Sequence, residues 1–259
     1  FWPADLHIIG KDIVRFHAVY WPAFLMSAGL PLPKGVFGHG FVLNRGEKMS
    51  KSVGNVVDPI ELASTYGVDQ LRYFLLREVS FGQDGSYSHD AIVTRTNADL
   101  ANGLGNLAQR CLSMIAKNCG GTLPERGTLL PVDTDLLETL AATKIEADRS
   151  MSELAIHNAL AAIWTGVAAA NAYFAEQAPW AVRKTDPARM AAVLRTLHTA
   201  LRALGTVLLP FMPATMAAML DQLGVGQGAR LLGSLAEPTP DGVALPPPMP
   251  LFRKIEAEG

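Results

Sequence analysis

The stretch Asn44–Asn55 reads NRGEKMSKSVGN and sets two lysines, Lys48 and Lys51, three residues apart with Ser50 and Ser52 interleaved. Two ammonium groups on a mobile loop can close on a polyphosphate and neutralise charge as it develops on a leaving group. Each acts as a compact point charge, so it tolerates the changing geometry of nucleotidyl transfer. Gly46 and Gly54 flank the pair and supply hinges. A solvated turn holds the same residue types, and for an arbitrary lysine pair it is the commoner outcome. Here the context separates the two readings: an apolar run precedes the loop and a marked helix start follows it.

Those neighbouring elements can be read from pattern. LHIIG is a short apolar run ended by Gly10 and predicts a strand. KDIVRFHAVYWPAFLMSAG repeats Ile13, Phe16, Tyr20 and Phe24 at helical spacing, and Gly29 with two prolines ends it. GVFGHGFVL predicts a second strand. Strand, helix and strand in sequence is the βαβ pattern of a parallel sheet, and ligands bind beyond the carboxyl ends of such strands. The lysine loop leaves from one of those ends. Behind it, Asp58 is placed to cap a helix, Pro59 suits the first helical position, and Glu61 completes a capping box. A second short helix, DQLRYFLLREV, leads to SFGQDGSYSHD, whose turn formers mark a boundary.

From about residue 89 the pattern is all helix. Leu100, Leu104, Leu107, Cys111 and Met114 form one apolar seam. Ile156, Leu160, Ile163, Val167 and Phe174 form a second, and Met190, Leu194, Leu197, Leu201, Leu204 and Leu208 a third. Narrow seams of this kind belong to helix bundles. CGGTLPERGTLLP and QAPWAVRKTDP read as connections, and the Gly- and Pro-rich tail after Gly224 is expected to run over the surface. The expected class is therefore α/β, a partial Rossmann-like parallel sheet, followed by an all-α bundle. The expected division is 1–57 for the sheet and loop, 58–90 for a linker, 91–224 for the bundle and 225–259 for the tail.

Composition narrows the function. With 259 residues, 49% of them hydrophobic and 18% charged, the chain can bury a substantial core. A formal net charge of -2 excludes a broad nonspecific grip on nucleic acid and leaves only local contacts. Cys111 and Cys119, eight apart with no C-x-x-C, argue against a zinc knuckle or a disulfide framework and suit a reducing cytoplasm. No signal peptide and no apolar run long enough to span a bilayer is present. The opening FWPADLHIIG reads as entry into the middle of a fold, so the chain is expected to be a piece of a longer protein.

KMSKS is the second signature of class I aminoacyl-tRNA synthetases, and average residue usage yields a fixed five-letter word at roughly 10⁻⁶ per position. GKDIVRFHAVYWPAFL, HGFVLNRGEKMSKS, YGVDQLRYFLLREVSFGQDGSYS, NADLANGLGNLAQR and EQAPW together resemble the methionyl-tRNA synthetase family over essentially the whole chain. The isoleucyl, valyl and leucyl enzymes share the lysine loop but not this helix set, and they stand as the first alternative. A tRNA-binding module without catalysis is the second.

The resemblance implies roles by position. Lys51 would be the principal stabiliser of adenylate formation, with Lys48 assisting. Gly10 and Asp12 would lie by the ATP ribose, and His39, Gly40 and Val42 by the adenine. Ile13, Phe16, His17 and Trp21 would line the methionine pocket. By pattern alone Ile13 and Phe16 read as core, His17 as a structural histidine, and Asp12 as an N-cap. Asn106, Arg110, Pro179 and Trp180 would read the anticodon, with Asn102 a weaker candidate. By pattern alone they are a solvated helix face and a bundle anchor.

The implied substrates are methionine, tRNA-Met and ATP with Mg²⁺. The implied protein is monomeric and cytoplasmic, without membrane contact. None of these residues is expected to ligate a metal. The family's first signature, a HIGH-type word, is absent from this sequence. That word and an inserted domain that often carries zinc are expected upstream of Phe1, and the chain by itself is expected to form little or no adenylate.

Overall fold

The computed structural model describes every residue except 1, 45, 51, 53 and 257–259. Strand β1 (His7–Gly10) runs into a continuous helical segment: a tight turn at Lys11–Ile13, a widened π turn at Phe16–Tyr20, and helix α1 (Trp21–Ser27). Gly29, at φ +67°, ends it. Leu30 N–H donates to Leu25 O at 2.9 Å and Gly29 N–H to Met26 O at 3.1 Å, the paired bonds of a glycine-terminated helix. β2 (Val36–His39) returns parallel to β1, with Gly10 opposite His39. The expected βαβ unit is present.

The second predicted strand, however, is two strands. β2 ends at His39, and β3 (Val42–Asn44) belongs to another sheet. The break falls at Gly40, where a Cβ would lie 2.1 Å from Gln83 O. Only glycine allows the two backbones to approach so closely, and an apolar run cannot reveal it. β4 (Glu47–Lys48) pairs antiparallel with β3, giving a hairpin at the start of the lysine loop.

Helix α2 (Pro59–Tyr66) starts as expected, with Asp58 Oδ1 accepting from Ile60 N–H at 2.7 Å. The reciprocal bond from Glu61 is not formed among the described residues, so Asp58 caps by itself rather than in a capping box. α3 (Val68–Glu78) follows, and then β5 (Gly85–Tyr87), a strand that the turn-rich composition hid. β5 runs parallel to β3, Val42 opposite Gly85, which makes a three-stranded sheet in the order β4-β3-β5.

The rest is helical. α4 (His89–Arg95) passes through a π-wound stretch, Thr96–Gly105, into α5 (Asn106–Asn118). α6 (Pro131–Ser152), α7 (Ile156–Gln177), the short α8 (Pro179–Val182), α9 (Pro187–Leu208) and α10 (Pro213–Gln222) complete the bundle. All six leucine and methionine positions of the third predicted seam are buried in α9. The first two seams are buried as well, save Met114 and Ile156 at their ends.

Two polar devices hold the bundle. Asp133 in α6 is fully buried, and Arg189 grips it with two bonds of 2.6 and 2.7 Å. Tyr173 O–H donates to the same carboxylate at 2.5 Å, and Leu130 N–H donates at 2.8 Å. Burial works against the charge, but these donors outweigh it and hold the Asp133 carboxyl below the usual carboxylate range. α3 is fastened to the bundle by Arg72, donating to Phe211 O and Pro210 O at 2.9 Å each, and by Asp69, accepting from Thr215 N–H at 2.6 Å.

The tail after Gly224 does follow the surface, but it is also built in. Arg195 and Arg202 of α9 donate to the Thr239, Glu237 and Ser234 carbonyls. Thr122 bridges to Ala244, and Phe252 is buried against Gly105.

Candidate functional site

Parallel strands β1 and β2 bring Gly10 and His39 side by side at their carboxyl ends. Gly10 is the residue that caps the following helical turn, and a Cβ there would sit 2.6 Å from Asp12 Oδ1. Asp12 itself lies exposed in the first turn and makes no cap hydrogen bond, so its carboxylate is free of the N-cap role that the sequence allowed it. His39 Nδ1–H donates to Gly40 O at 2.8 Å, because a carbonyl can only accept. Val42 is exposed at the start of β3.

The helical face above this edge is aromatic and open. Ile13, Phe16, Tyr20 and Phe24 are all exposed, Phe24 at 56%. Their spacing reads as a core stripe, but among the described residues nothing buries it. Phe16 meets Tyr20 and Phe24 edge to face, with centroids 6.4 and 6.3 Å apart. His17 donates from Nδ1 to Ile13 O at 3.0 Å, which satisfies one nitrogen internally. Trp21 is half-buried and edge-on to Trp2, and its indole N–H is buried without a partner among the described residues. Exposed aromatic stripes of this kind mark contact surfaces.

Lys48 stands in β4 with its ammonium 4.4 Å from the Phe41 ring centroid. Lys11 approaches the same ring to 5.0 Å and pairs with Asp84 at 2.7 Å. The bond from Lys11, aided by Phe41 N–H, holds the Asp84 carboxyl below its ordinary range. Two cations thus share one aromatic ring beside the loop. Lys51 lies outside the described residues.

Around it the loop is tied by Asn55. Its Oδ1 accepts from Ser50 N–H at 2.8 Å, its Nδ2 donates to Lys48 O at 3.2 Å, and its own carbonyl accepts from Asn44 Nδ2 at 2.9 Å. Ser50 and Ser52 bond through their hydroxyls at 2.7 Å. Gly46 and Gly54 hold φ of +82° and +71°, conformations that suit glycine at both ends of the loop.

Far along the chain, Asn106 and Arg110 lie exposed on one face of α5, one turn apart. The Arg110 guanidinium lies 4.5 Å from the Phe174 ring and 5.1 Å from the Trp180 ring. Phe174 and Trp180 meet edge to face at 5.3 Å and 86°. Ala178, at φ +39°, ends α7 in a left-handed turn, and buried Pro179 opens α8, so Trp180 is swung over the end of Phe174. Trp180 remains 40% exposed. A cation stacked on an indole beside an amide can engage an unstacked base. Asn102 is exposed one turn before Asn106.

The expected residues therefore fall into two groups, one at the sheet edge and one at the α5–α8 corner. Sequence reading missed Lys11, Phe41, Asp84, Asn55 and Phe174. Phe41 and Asn55 stand inside stretches already singled out, but only their contacts give them weight. Phe174 was read as core, and it is buried; its second use, under Arg110, needs the tertiary structure. Among the described residues no group of three or more His, Cys, Asp or Glu is placed to hold a metal ion, and no helix is long and apolar enough to cross a membrane.

Comparison with known proteins matches both parts. The family model described as tRNA synthetases class I (M) covers residues 1–112, and that described as the anticodon binding domain of methionyl tRNA ligase covers 123–259. A methionine–tRNA ligase of Brucella suis is 60% identical over 100% of this chain and 50% of its own length, and one of Mycobacterium leprae is 51% identical over 100% and 50%. The chain thus spans about half the length of these curated relatives. The solved Mycobacterium tuberculosis methionyl-tRNA synthetase in complex with methionyl-adenylate superimposes with a TM-score of 0.94 at 52% identity, over 97% of this chain and 50% of that one. The apo form of the same enzyme gives 0.92 at 48% identity, over 99% and 51%. With both family models matched in order and relatives aligned from end to end of the chain, the protein belongs to the methionyl-tRNA synthetase family of class I tRNA synthetases.

Proposed function

We propose that the chain is the carboxyl-terminal half of a methionine–tRNA ligase, which joins methionine to tRNA-Met through methionyl-adenylate. The observation that carries this reading is the start of the lysine loop, where Lys48 joins Lys11 at the Phe41 ring just past the carboxyl end of β2. In the reaction, the ionised methionine carboxylate attacks the α-phosphorus of ATP and pyrophosphate leaves. No general base is needed, so positioning and charge stabilisation do the catalytic work. Lys51 is the principal stabiliser of the charge on the departing phosphates and Lys48 assists it.

Gly10 and Asp12 meet the ribose hydroxyls, for which an uncapped, exposed carboxylate is a suitable acceptor. His39, Gly40 and Val42 border the adenine. Ile13, Phe16, His17 and Trp21 face the methionine side chain, and aromatic walls suit a thioether. Mg²⁺ enters with ATP as part of the substrate. Residues 1–57 supply the last part of the catalytic domain, 58–90 the stem-contact region, 91–224 the anticodon bundle and 225–259 a tail that straps it. The full-length protein acts as a monomer in the cytoplasm.

Asn106, Arg110, Pro179 and Trp180 recognise the CAU anticodon. The bundle is closed in itself while the catalytic edge is open, and that contrast favours a second, narrower reading: the chain taken alone binds tRNA without chemistry. Methionylation of tRNA-Met by the full-length protein, with anticodon variants as controls, tests the main reading. Charging that depends on methionine and on CAU supports it; charging with valine, isoleucine or leucine overturns it.

A further inference from the structure

We infer that Asn55 is a positioning residue for the lysine loop. This rests on the loop acting in adenylate formation, as proposed above. Asn55 lies at the far end of the loop, yet it binds the backbone immediately after the first lysine, on both sides of Met49. The bond from its Nδ2 to Lys48 O fixes the peptide that carries Lys48. The bond from Ser50 N–H to its Oδ1 fixes the next peptide, Met49–Ser50. Its own backbone is held from β3 through Asn44 Nδ2, and so the tie runs back to the sheet.

Gly46 and Gly54 hold left-handed conformations with open space around each, so the ordering of the loop does not come from packing at its ends. From just beyond Gly54, the Asn55 amide closes the chain on itself, and the Ser50–Ser52 hydroxyl pair, with Ser52 N–H reaching Ser50 Oγ at 3.3 Å, narrows it further. A loop ordered in advance loses less entropy when substrate binds than one that must order residue by residue. A fixed backbone beside Lys48 presents its charge in a set place, and this helps most where charge develops in the transition state. An amide is suited to this because it offers both a donor and an acceptor to the backbone. Asn55 itself touches no reacting atom.

The test uses the full-length protein with Asn55→Ala and Asn55→Asp. Limited trypsin digestion, read by mass spectrometry, reports order in the loop through cleavage after Lys48 and Lys51. Methionine-dependent ATP–pyrophosphate exchange reports kcat and KM separately. We expect Asn55→Ala to speed cleavage in the loop about fivefold and to lower exchange kcat about tenfold, from the loss of two hydrogen bonds. The KM for methionine and the affinity for tRNA stay within twofold. Asn55→Asp keeps the acceptor for Ser50 N–H and falls between the two.

Unchanged cleavage overturns the inference whatever the activity. Faster cleavage with unchanged exchange also overturns it, since the ordering would then serve no chemistry. A general loss of melting temperature and tRNA affinity would make Asn55 a folding residue and equally overturn it. If the unaltered protein shows no methionine-dependent exchange, the proposed function fails, while the cleavage arm still decides whether Asn55 orders the loop.

Discussion

Arg110 of α5 lies 5.1 Å from the ring of Trp180 at the start of α8, and the two are brought together by the left-handed turn at Ala178. The contact holds the guanidinium against an aromatic corner whose outer edge stays exposed. Phe174 beneath it is buried and cannot itself meet a base, so it serves as the floor.

The first prediction follows. Trp180→Ala removes the exposed stacking surface and loosens Arg110, and should weaken tRNA-Met binding by about ten- to a hundredfold, within the range for loss of a stacked base of about 1–3 kcal/mol. Amino-acid-dependent exchange, which does not involve tRNA, should stay unchanged. A gel shift together with an exchange assay separates the two. Arg110→Lys should be almost as damaging as Trp180→Ala, because an ammonium cannot lie flat on the rings.

Asp133 joins α6, α7 and α9 through Arg189 and Tyr173. Asp133→Ala leaves Arg189 without its partner and should cost about 3–5 kcal/mol in denaturant unfolding, the penalty of a broken buried pair. Because the folded carboxyl is held below its unfolded value, its contribution is full above the ordinary carboxylate pKa of about 4 and fades as pH falls below it. Unfolding curves between pH 5 and pH 2 should show that loss in the unaltered protein and a flatter response in Asp133→Asn.

His198 gives a second acid response in a different range. It is fully buried in α9, its Nε2–H donates to Leu223 O at 2.8 Å, and its Nδ1 has no partner among the described residues. Burial, with Arg195 and Arg202 nearby, pushes its pKa down to about 4. The unfolded histidine takes a proton near pH 6.5, so stability is full above that pH and declines as pH falls from 6.5 toward 4. The expected loss is about 3 kcal/mol from the conversion of pKa shift to free energy. His198→Gln keeps a donor for Leu223 O and should remove most of this slope in urea melts at pH 7 and pH 5.

The seams and caps were legible because each depends on local spacing. The six apolar positions from Met190 to Leu208 are all buried, and Asp58 caps α2 from the position its residue type predicts. β5 was not legible: Gly85, Ser86 and Tyr87 show no alternation and form a strand only because β3 lies alongside. α6 lies inside the region read as helical, but its seam was not singled out, for a related reason. Its buried positions include Asp133, whose partner Arg189 is 56 residues away, so a core position looks polar until the partner is placed. At the candidate site, the lysine loop and the Asn106–Arg110 face could be found as words and spacings. The Lys11–Asp84 pair spans 73 residues and the shared Phe41 ring needs the folded sheet, so neither leaves a signal in a single sequence. The open face of Ile13, Phe16, Tyr20 and Phe24 has a helical period that reads as core, and the described residues leave it exposed.

Amino-acid-dependent ATP–pyrophosphate exchange, run on the full-length protein and on the 259-residue chain, tests the central claim most directly. Strong exchange with methionine is expected from the full-length protein, loss of it in Lys51→Ala, and little or none from the 259-residue chain, which spans about half the length of the relatives it matches. Strong exchange by the 259-residue chain alone, or exchange driven by valine, isoleucine or leucine in place of methionine, would contradict it.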